Sequence, residues 1–575
     1  MSDTQNWDVI VIGAGGAGLT AARHARNAGA DVLVVNKGLV GRTGATITSG
    51  GGISAAGSTL VALGFDTDGA DNEQHFIEDT ICSGQFLSDQ RLVQSMAEEV
   101  GRDLADLIAM GVRPRVTKRA PGHSSGRGAS VAGPVMQKAV TGGAVKAGVR
   151  FREDFLSAGL LRDSDGAVVG VAGLDRRTGA VESISGRAVI IATGGTTSNW
   201  RVRTAPEELT GEGQSMALEA GAELIEAEML QFLPCCVIAP EIWRGIQFPW
   251  TIGPQAGVRA WLLNRYGERF LQRWDPENIE LATRDVVAAA SAAEVAAGRG
   301  SPNGGVYLSW AHLPRDIIEN MPLWSKSLAA DGRYQGFDFT PLIDRVKAGY
   351  AIEVAPAAHF SLGGIRIDVD GNTQIPGLYA CGEATGGLHG GNRLSGNAGA
   401  QMLVQGRRAG IAAARAAKRN YGIGPATNWN ELRDRIEAPF ARTSGVAPTD
   451  LAQRLGALTD RALAPIRDGV QIDEALGEIA DIRTNALPDL AVRQRDRAHN
   501  RDWGAALECR AAVDVLEAAL LGAKTRTRSL GAHQRTDSPA KDDAGDKRLY
   551  HGIIAASAVG LVHRALPVAF PLLSP

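Results

Sequence analysis

Three glycines set the first chemistry in this chain. Gly13-Ala-Gly15-Gly-Ala-Gly18 has the spacing that receives a pyrophosphate. Gly13 permits a tight turn, Gly15 lets phosphate approach the backbone, and Gly18 lets a helix meet a strand. Elements of the right kind flank them. Asp8-Val-Ile-Val-Ile-Gly13 is a buried-strand pattern, Leu19 to Ala28 reads as a helix, and Asp31 to Val35 reads as a second strand. The helix N-terminus supplies backbone amides and a partial positive charge. A ribose-binding acid is expected near the end of the second strand, and Asn36-Lys37 stands there instead. An Asn can bond a hydroxyl but does not choose between dinucleotides, so NAD and FAD both remain open at this point.

Metal chemistry has little support. The five cysteines, at 82, 235, 236, 381 and 509, form no CxxC pair, which argues against a zinc site or a cysteine-bound cluster. A sparse, odd set fits a reduced, cytosolic protein. The vicinal pair Cys235-Cys236 reads as two small apolar fillers rather than a redox couple. With 575 residues the chain holds about three to five domains' worth of sequence. Hydrophobic residues make up 44% and charged residues 21%, which argues against disorder. Sixty basic and 63 acidic residues give a net charge of −3, which offers no electrostatic case for nucleic acid. The 71 glycines exceed the ~40 of an average chain this long and come in short clusters, which suggests places where backbone approaches a ligand. Residues 1–7 carry no basic leader. The apolar tail Ile553 to Leu573 is interrupted by His563, Arg564 and two prolines, so no membrane span is expected.

The rest of the chain decides for FAD. The segments are Arg42-Thr-Gly-Ala-Thr-Ile-Thr-Ser-Gly-Gly-Gly-Ile-Ser-Ala, Val189-Ile-Ile-Ala-Thr-Gly-Gly195, Pro376-Gly-Leu-Tyr-Ala-Cys-Gly-Glu383 and Leu388-His-Gly-Gly-Asn-Arg-Leu-Ser-Gly-Asn397. With Asp71 to Asp79, Leu262 to Phe270, Arg284-Asp-Val-Val287 and Ala358-His-Phe-Ser-Leu-Gly-Gly364, this order resembles the succinate dehydrogenase/fumarate reductase flavoprotein family, which also contains L-aspartate oxidase. The resemblance runs from about residue 8 to about 565. It implies an α/β fold: a Rossmann-like FAD-binding domain with an inserted α+β capping domain and a C-terminal helical domain. The expected divisions are 1–230 and 353–425 for the FAD-binding domain and 231–352 for the cap. Residues 426–540 would form the helical domain and 541–575 a C-terminal strand and tail. Within the cap, Thr283 to Ala297 reads as a helix and Gly298 to Gly305 as a turn-rich loop.

The same resemblance implies flavin contacts at Gly13, Gly15, Gly18, Asn36, Lys37, Ser49, Gly50, Gly51, Thr193, Gly194, Glu212, Glu383 and Asn397. Glu383 would take a ribose hydroxyl. Glu212 stands where the family usually has Asp. Ala45 replaces the His that carries covalent flavin elsewhere in the family, so the FAD is expected to be non-covalent.

The family's chemistry moves a hydride between the flavin and a carbon next to a carboxylate. Arg284 matches its proton-donating arginine, although a bare guanidinium, with a pKa above about 12, is a poor acid without a relay. His359 and Arg393 match residues that grip a substrate carboxylate, for which the planar fork of Arg is suited. His389 has a weaker case, and Thr251 survives from a Thr-Glu pair. The departures are informative. Gln231-Phe-Leu-Pro-Cys-Cys236 has Leu233 where a second carboxylate-binding His is expected, Ile252 replaces the relay acid, and Arg259 follows a one-residue insertion. Losing one or two bonds to a charged group costs about 1.5–6 kcal/mol, so the substrate is expected to be a small carboxylate other than fumarate, succinate or aspartate. An amino-acid oxidase and an electron-transfer paralogue without small-substrate turnover are the alternatives. Family members often dock an iron–sulfur subunit, so such a partner or a soluble donor is expected.

Overall fold

The computed structural model describes residues 6–117, 119–247, 260–320, 338–419, 424–538 and 549–575. The first strand, β1 (Trp7–Ile12), lies parallel to β2 (Val32–Val35), with Val9 opposite Val32 and Ile12 opposite Val35. Between them runs the helix α1 (Gly16–Asn27). The continuous run of branched residues Val9 to Ile12 in β1 is buried on both faces, as parallel strands require. The strand Val181–Ile191 flanks β1 on its other side, also parallel, and Leu378–Ala380 adds to it. Arg150–Arg152 extends the sheet beyond β2, and two antiparallel strands, Phe155–Arg162 and Val168–Asp175, complete seven.

α1 packs closely on the helix Asn397–Arg419. Gly406 and Gly410 on that helix permit this approach: a Cβ there would fall 2.6 Å from the Ala17 carbonyl oxygen and 2.2 Å from that of Ala21. The region after β2, which reads as loop from sequence, holds a short helix, α2 (Ala45–Thr48), and a strand, β3 (Gly52–Ser54). β3 forms because Gly128–Ser130 pairs with it across about 75 residues of chain, a tertiary event that local pattern does not report.

A second sheet joins Leu230–Ala239, Ile352–Ser361, Val306–Ser309 and Trp261–Leu263. The helix Arg284–Ala296 packs on it, with Thr283 before it and Ala297 after it. Its core includes Leu233, Cys235, Cys236, Leu262, Trp310 and Val354. Four helices, Trp429–Ala441, Pro448–Ala462, Gly469–Asp481 and Arg501–Thr525, bury another core around Leu455, Trp503 and Leu516. The chain ends in a hairpin, Tyr550–Ser557 against Gly560–Pro567, rather than in the single strand expected. The polar pair at Ser557 and Gly560, the latter at φ +115°, closes its turn. No described helix is long and apolar enough to cross a membrane.

Candidate functional site

The C-terminal ends of β1, β2 and Val181–Ile191 open into a cavity of ≈ 480 Å³, within the range of ligand pockets. At its floor the three motif glycines divide their roles. Gly13 adopts φ +109°, and a Cβ there would strike the Ala192 carbonyl oxygen at 2.4 Å. Gly18 lies against the Gly13 carbonyl, where a Cβ would stand at 2.0 Å. A Cβ on Gly15 would meet nothing nearer than Thr46 Oγ1, at 3.7 Å, so its backbone is open toward the cavity.

Asn36 anchors this turn. Its Oδ1 accepts from Ala14 N at 3.1 Å, and its Nδ2 donates to the Gly38 carbonyl and to Thr43 Oγ1. Lys37 and Glu212 spend their charges on each other. Lys37 Nζ donates to Glu212 Oε1 at 2.5 Å, to Glu508 Oε1 at 3.0 Å and to Thr210 Oγ1 at 3.0 Å. Burial pulls the Lys37 ammonium down, but the two carboxylates outweigh it and hold its pKa above the ordinary lysine value. Ser49, Gly50, Gly51, Thr193, Gly194 and Glu383 also line the cavity. Asn397 does not line it; its Nδ2 donates to Thr80 Oγ1, while its Oδ1 is buried without a partner among the described residues. Thr193 Oγ1 is orphaned in the same way. A bare glycine turn and the orphaned Thr193 hydroxyl fit a bound dinucleotide.

The other end of the cavity is cationic. Arg284, His359 and Arg393 all line it. Arg284 opens its helix, where a cation opposes the helix dipole by about 0.3–1 kcal/mol. Gln231 explains its orientation: Oε1 accepts from Arg284 Nη1 at 3.0 Å, while Nε2 donates to the Arg393 carbonyl at 2.8 Å and to Asn392 Oδ1 at 3.1 Å. One amide thus ties a capping-sheet helix to the loop of the second arginine. His359 falls at a β-bulge, since Gln231 opposes Phe360 and Phe232 opposes Ala358. A bulge re-aims a side chain that strict alternation would place elsewhere. Thr204 Oγ1 lies 2.6 Å from His359 Nδ1 and fixes the ring.

Arg393 is buried, with its guanidinium 4.3 Å from the centre of the Phe360 ring and its Nε without a partner among the described residues. Burial and the like charge of Arg284 push its pKa well below that of ordinary arginine, and Glu383 only partly compensates. Burial pushes the Glu383 carboxyl up to about 7, against a hydrogen bond from Ser361 N at 3.1 Å and the charge of Arg393. Two guanidinium groups lining one cavity favour an anion between them.

Leu233 lines the cavity and is 1% exposed. It shares a strand face with Gln231, two residues earlier. Cys235 and Cys236 are buried in the core of the same sheet, and Cys236 Sγ donates to the Leu233 carbonyl. His389 lies outside the cavity lining: its Nε2 donates to Gln401 Oε1 at 2.9 Å, and burial lowers its pKa to about 3. Thr251, Ile252 and Arg259 lie outside the described residues.

Sequence reasoning missed His123, Arg127 and Thr204, which also line the cavity. His123 Nε2 lies 2.9 Å from the Ser395 carbonyl oxygen. Arg127 is fully buried and paired with Asp71 and Asp79. A signal existed in the segment Asp71 to Asp79, which begins and ends in these two acids, but the arginine they clamp is about 50 residues away.

A mostly parallel sheet with a phosphate-type turn at its strand ends, under a capping sheet that adds arginine and histidine, defines a dinucleotide-dependent oxidoreductase. Residues 8–398 match the family described as FAD binding domain, and residues 452–566 match the fumarate reductase flavoprotein C-terminal family. The chain is 32% identical over 581 residues to the fumarate reductase flavoprotein subunit of Mycobacterium tuberculosis, covering 94% of this chain and 93% of that protein. It is 32% identical over 553 residues to L-aspartate oxidase of Caulobacter vibrioides, covering 93% and 94%. The solved structure of Mycobacterium smegmatis Sdh1 in complex with UQ1 superimposes with a TM-score of 0.85 at 30% identity, over 99% of this chain and 95% of that one. The protein belongs to the succinate dehydrogenase/fumarate reductase flavoprotein family and is an FAD-dependent oxidoreductase. Members of this family act on CH–CH bonds.

Proposed function

We propose that this enzyme exchanges a hydride with the carbon chain of a small monocarboxylate whose far end is apolar. The observation that carries the reading is Leu233 on the cavity wall, on the strand face it shares with the Gln231 that holds Arg284. A second carboxylate pressed against this leucine would lose its hydration without gaining a donor, which costs several kcal/mol for an ion.

FAD supplies the hydride donor or acceptor when bound. The glycine turn, Thr193 and Glu383 are the residues that would hold it. Arg393 binds the substrate carboxylate through its buried fork, and His359, fixed by Thr204, binds beside it. Arg284, oriented by Gln231, holds the proton that goes to the carbon next to the carboxylate. Burial of Arg393 strengthens its grip on an anion. Ala45 lines the cavity and offers no nucleophile, so the flavin is held non-covalently. The relative from Mycobacterium tuberculosis is named as one subunit of a fumarate reductase; this chain likewise works with an electron-transfer partner.

The test is a screen of flavin reduction and reoxidation over mono- and dicarboxylates, repeated with Arg284→Ala. Fast turnover of 2-enoate monocarboxylates, lost in the variant while FAD is retained, is the expected result. Fumarate turnover as fast as that of the best monocarboxylate would overturn the substrate assignment. The identity to L-aspartate oxidase supports a second reading, amino-acid oxidation, for which release of hydrogen peroxide and ammonia is the readout.

A further inference from the structure

α1, the helix that follows the glycine turn, carries His24, and the helix Gln90–Ala109 carries Asp103 and Asp106. One ligating atom from each of these three side chains lies within 4.8 Å of the other two. A zinc-like ion sits about 2 Å from each donor, so its donors stand up to about 4 Å apart, and side-chain shifts of about 1 Å would close this set around one. The residues come from two helices far apart in the chain, so no short spacing reports the group.

Each donor is already in the state a metal requires. Arg23 Nη2 lies 2.8 Å from His24 Nε2. A guanidinium only donates, so His24 Nε2 presents its lone pair and the ring proton is on Nδ1. Burial and the charge of Arg23 lower the His24 pKa to about 4, so no proton has to leave the ring at neutral pH. Asp103 is 2% exposed, and its Oδ2 is buried with no hydrogen-bond partner among the described residues. Its other oxygen accepts from Arg407 Nε at 2.7 Å. Burial pushes its carboxyl above the ordinary range despite that arginine. A buried carboxylate oxygen without a donor costs free energy that a cation recovers. Asp106 Oδ2 stands 3.8 Å from His24 Nε2, and its side chain is 39% exposed, which leaves a side open for the ion and for water. Arg23 marks the position. Its Nη2 donates to Asp106 Oδ2 at 2.9 Å as well as to His24, so one cationic nitrogen bridges two of the three donors and leaves Asp103 Oδ2 unmet. A cavity of ≈ 10 Å³ lies against both Arg23 and Asp103.

We propose that His24, Asp103 and Asp106 bind one divalent transition-metal ion of mixed nitrogen and oxygen preference, such as zinc, in place of the Arg23 guanidinium. An imidazole with two carboxylates suits such an ion better than magnesium, which takes oxygen ligands and keeps its waters. The exchange moves no proton or electron: the ion enters and the Arg23 side chain, 17% exposed, turns out to solvent. The bound ion ties α1 to the helix Gln90–Ala109 and so steadies the helix whose N-terminus is the glycine turn. None of the three ligands lines the cavity that holds Arg284, so the site is structural and independent of the substrate assignment.

The probe is the metal alone. FAD-loaded, tag-free protein is treated with a chelator, freed of it, and titrated calorimetrically with Zn²⁺, and separately with Co²⁺ followed by its visible absorption. One saturable equivalent is expected, with a rise in melting temperature that follows the occupancy. Arg23→Ala should bind the ion at least about tenfold more tightly, because the competing guanidinium is gone. Asp106→Asn and His24→Gln should each weaken binding at least about tenfold and change the Co²⁺ absorption. Asp106 is partly exposed, so its variant keeps the test decisive where the buried His24→Gln fails to fold. Mg²⁺ at the same concentration should leave the melting temperature unchanged. Absence of a saturable equivalent in the wild type would overturn the proposal, and so would failure of either Arg23→Ala or Asp106→Asn to move the affinity in the stated direction.

Discussion

Replacing Leu233 by histidine tests the substrate assignment where the sequence departs most from its family. Leu233 sits on the cavity face of the strand Leu230–Ala239, opposite Ala357, with Cys236 Sγ donating to its carbonyl. An imidazole there would offer one hydrogen bond to the far carboxylate of a dicarboxylate. A bond to a charged group contributes about 1.5–3 kcal/mol. At ~1.4 kcal/mol per decade, that is roughly a ten- to hundredfold gain in kcat/KM for fumarate. A monocarboxylate with an apolar end should lose rate, because its contact with the leucine disappears. The substitution also removes a buried side chain whose burial contributes about 1.5–3 kcal/mol, so FAD retention and melting temperature are measured first. The assay follows oxidation of reduced viologen with fumarate and with crotonate, and the result is read as the ratio of the two kcat/KM values. That ratio should shift toward fumarate by about tenfold or more. A folded, yellow Leu233→His enzyme with an unchanged ratio would refute the reasoning, because the far carboxylate would then not meet this wall.

Three further outcomes are expected. Gln231→Leu should cut kcat about tenfold or more with a smaller effect on KM, because Arg284 loses its tether while Arg393 remains; an unchanged kcat would remove Gln231 from the positioning of Arg284. In the FAD-free protein Glu383 titrates at about 7 against an unfolded value of 4.5, so the folded state binds its proton more tightly. That stabilisation is present below about pH 4.5 and lost as pH rises toward 7, by about 3 kcal/mol in all. Denaturant titrations of wild type and Glu383→Gln should therefore diverge across this window, and parallel curves would sink the argument. Gly18→Ala places a Cβ 2.0 Å from the Gly13 carbonyl oxygen, so it should lower the melting temperature and weaken FAD retention, as read by the yellow absorbance per chain after gel filtration.

What the sequence determined by itself was mostly local or carried by order. The GxGxxG turn between two strands is local, because backbone sterics and short-range hydrophobic pattern set it. The helix from Thr283 to Ala297 has a strong local pattern, and its residues 284–296 are helical in the structure. The FAD-binding family was legible because several short motifs recur in one order along the chain. The joint position of Arg284, His359 and Arg393 was inferred from that order, not from their spacing. Tertiary structure decided the rest. β3 exists because a distant strand pairs with it, and the terminal hairpin exists because its second strand finds the first. His359 reaches the cavity because of a bulge whose register depends on the facing strand. Lys37 is held between Glu212 and Glu508, which arrive from helices about 175 and about 470 residues further on. Arg127 is held by two acids from a distant part of the chain. Such contacts join residues far apart in sequence, and their free energy depends on desolvation and geometry that no short window of sequence contains.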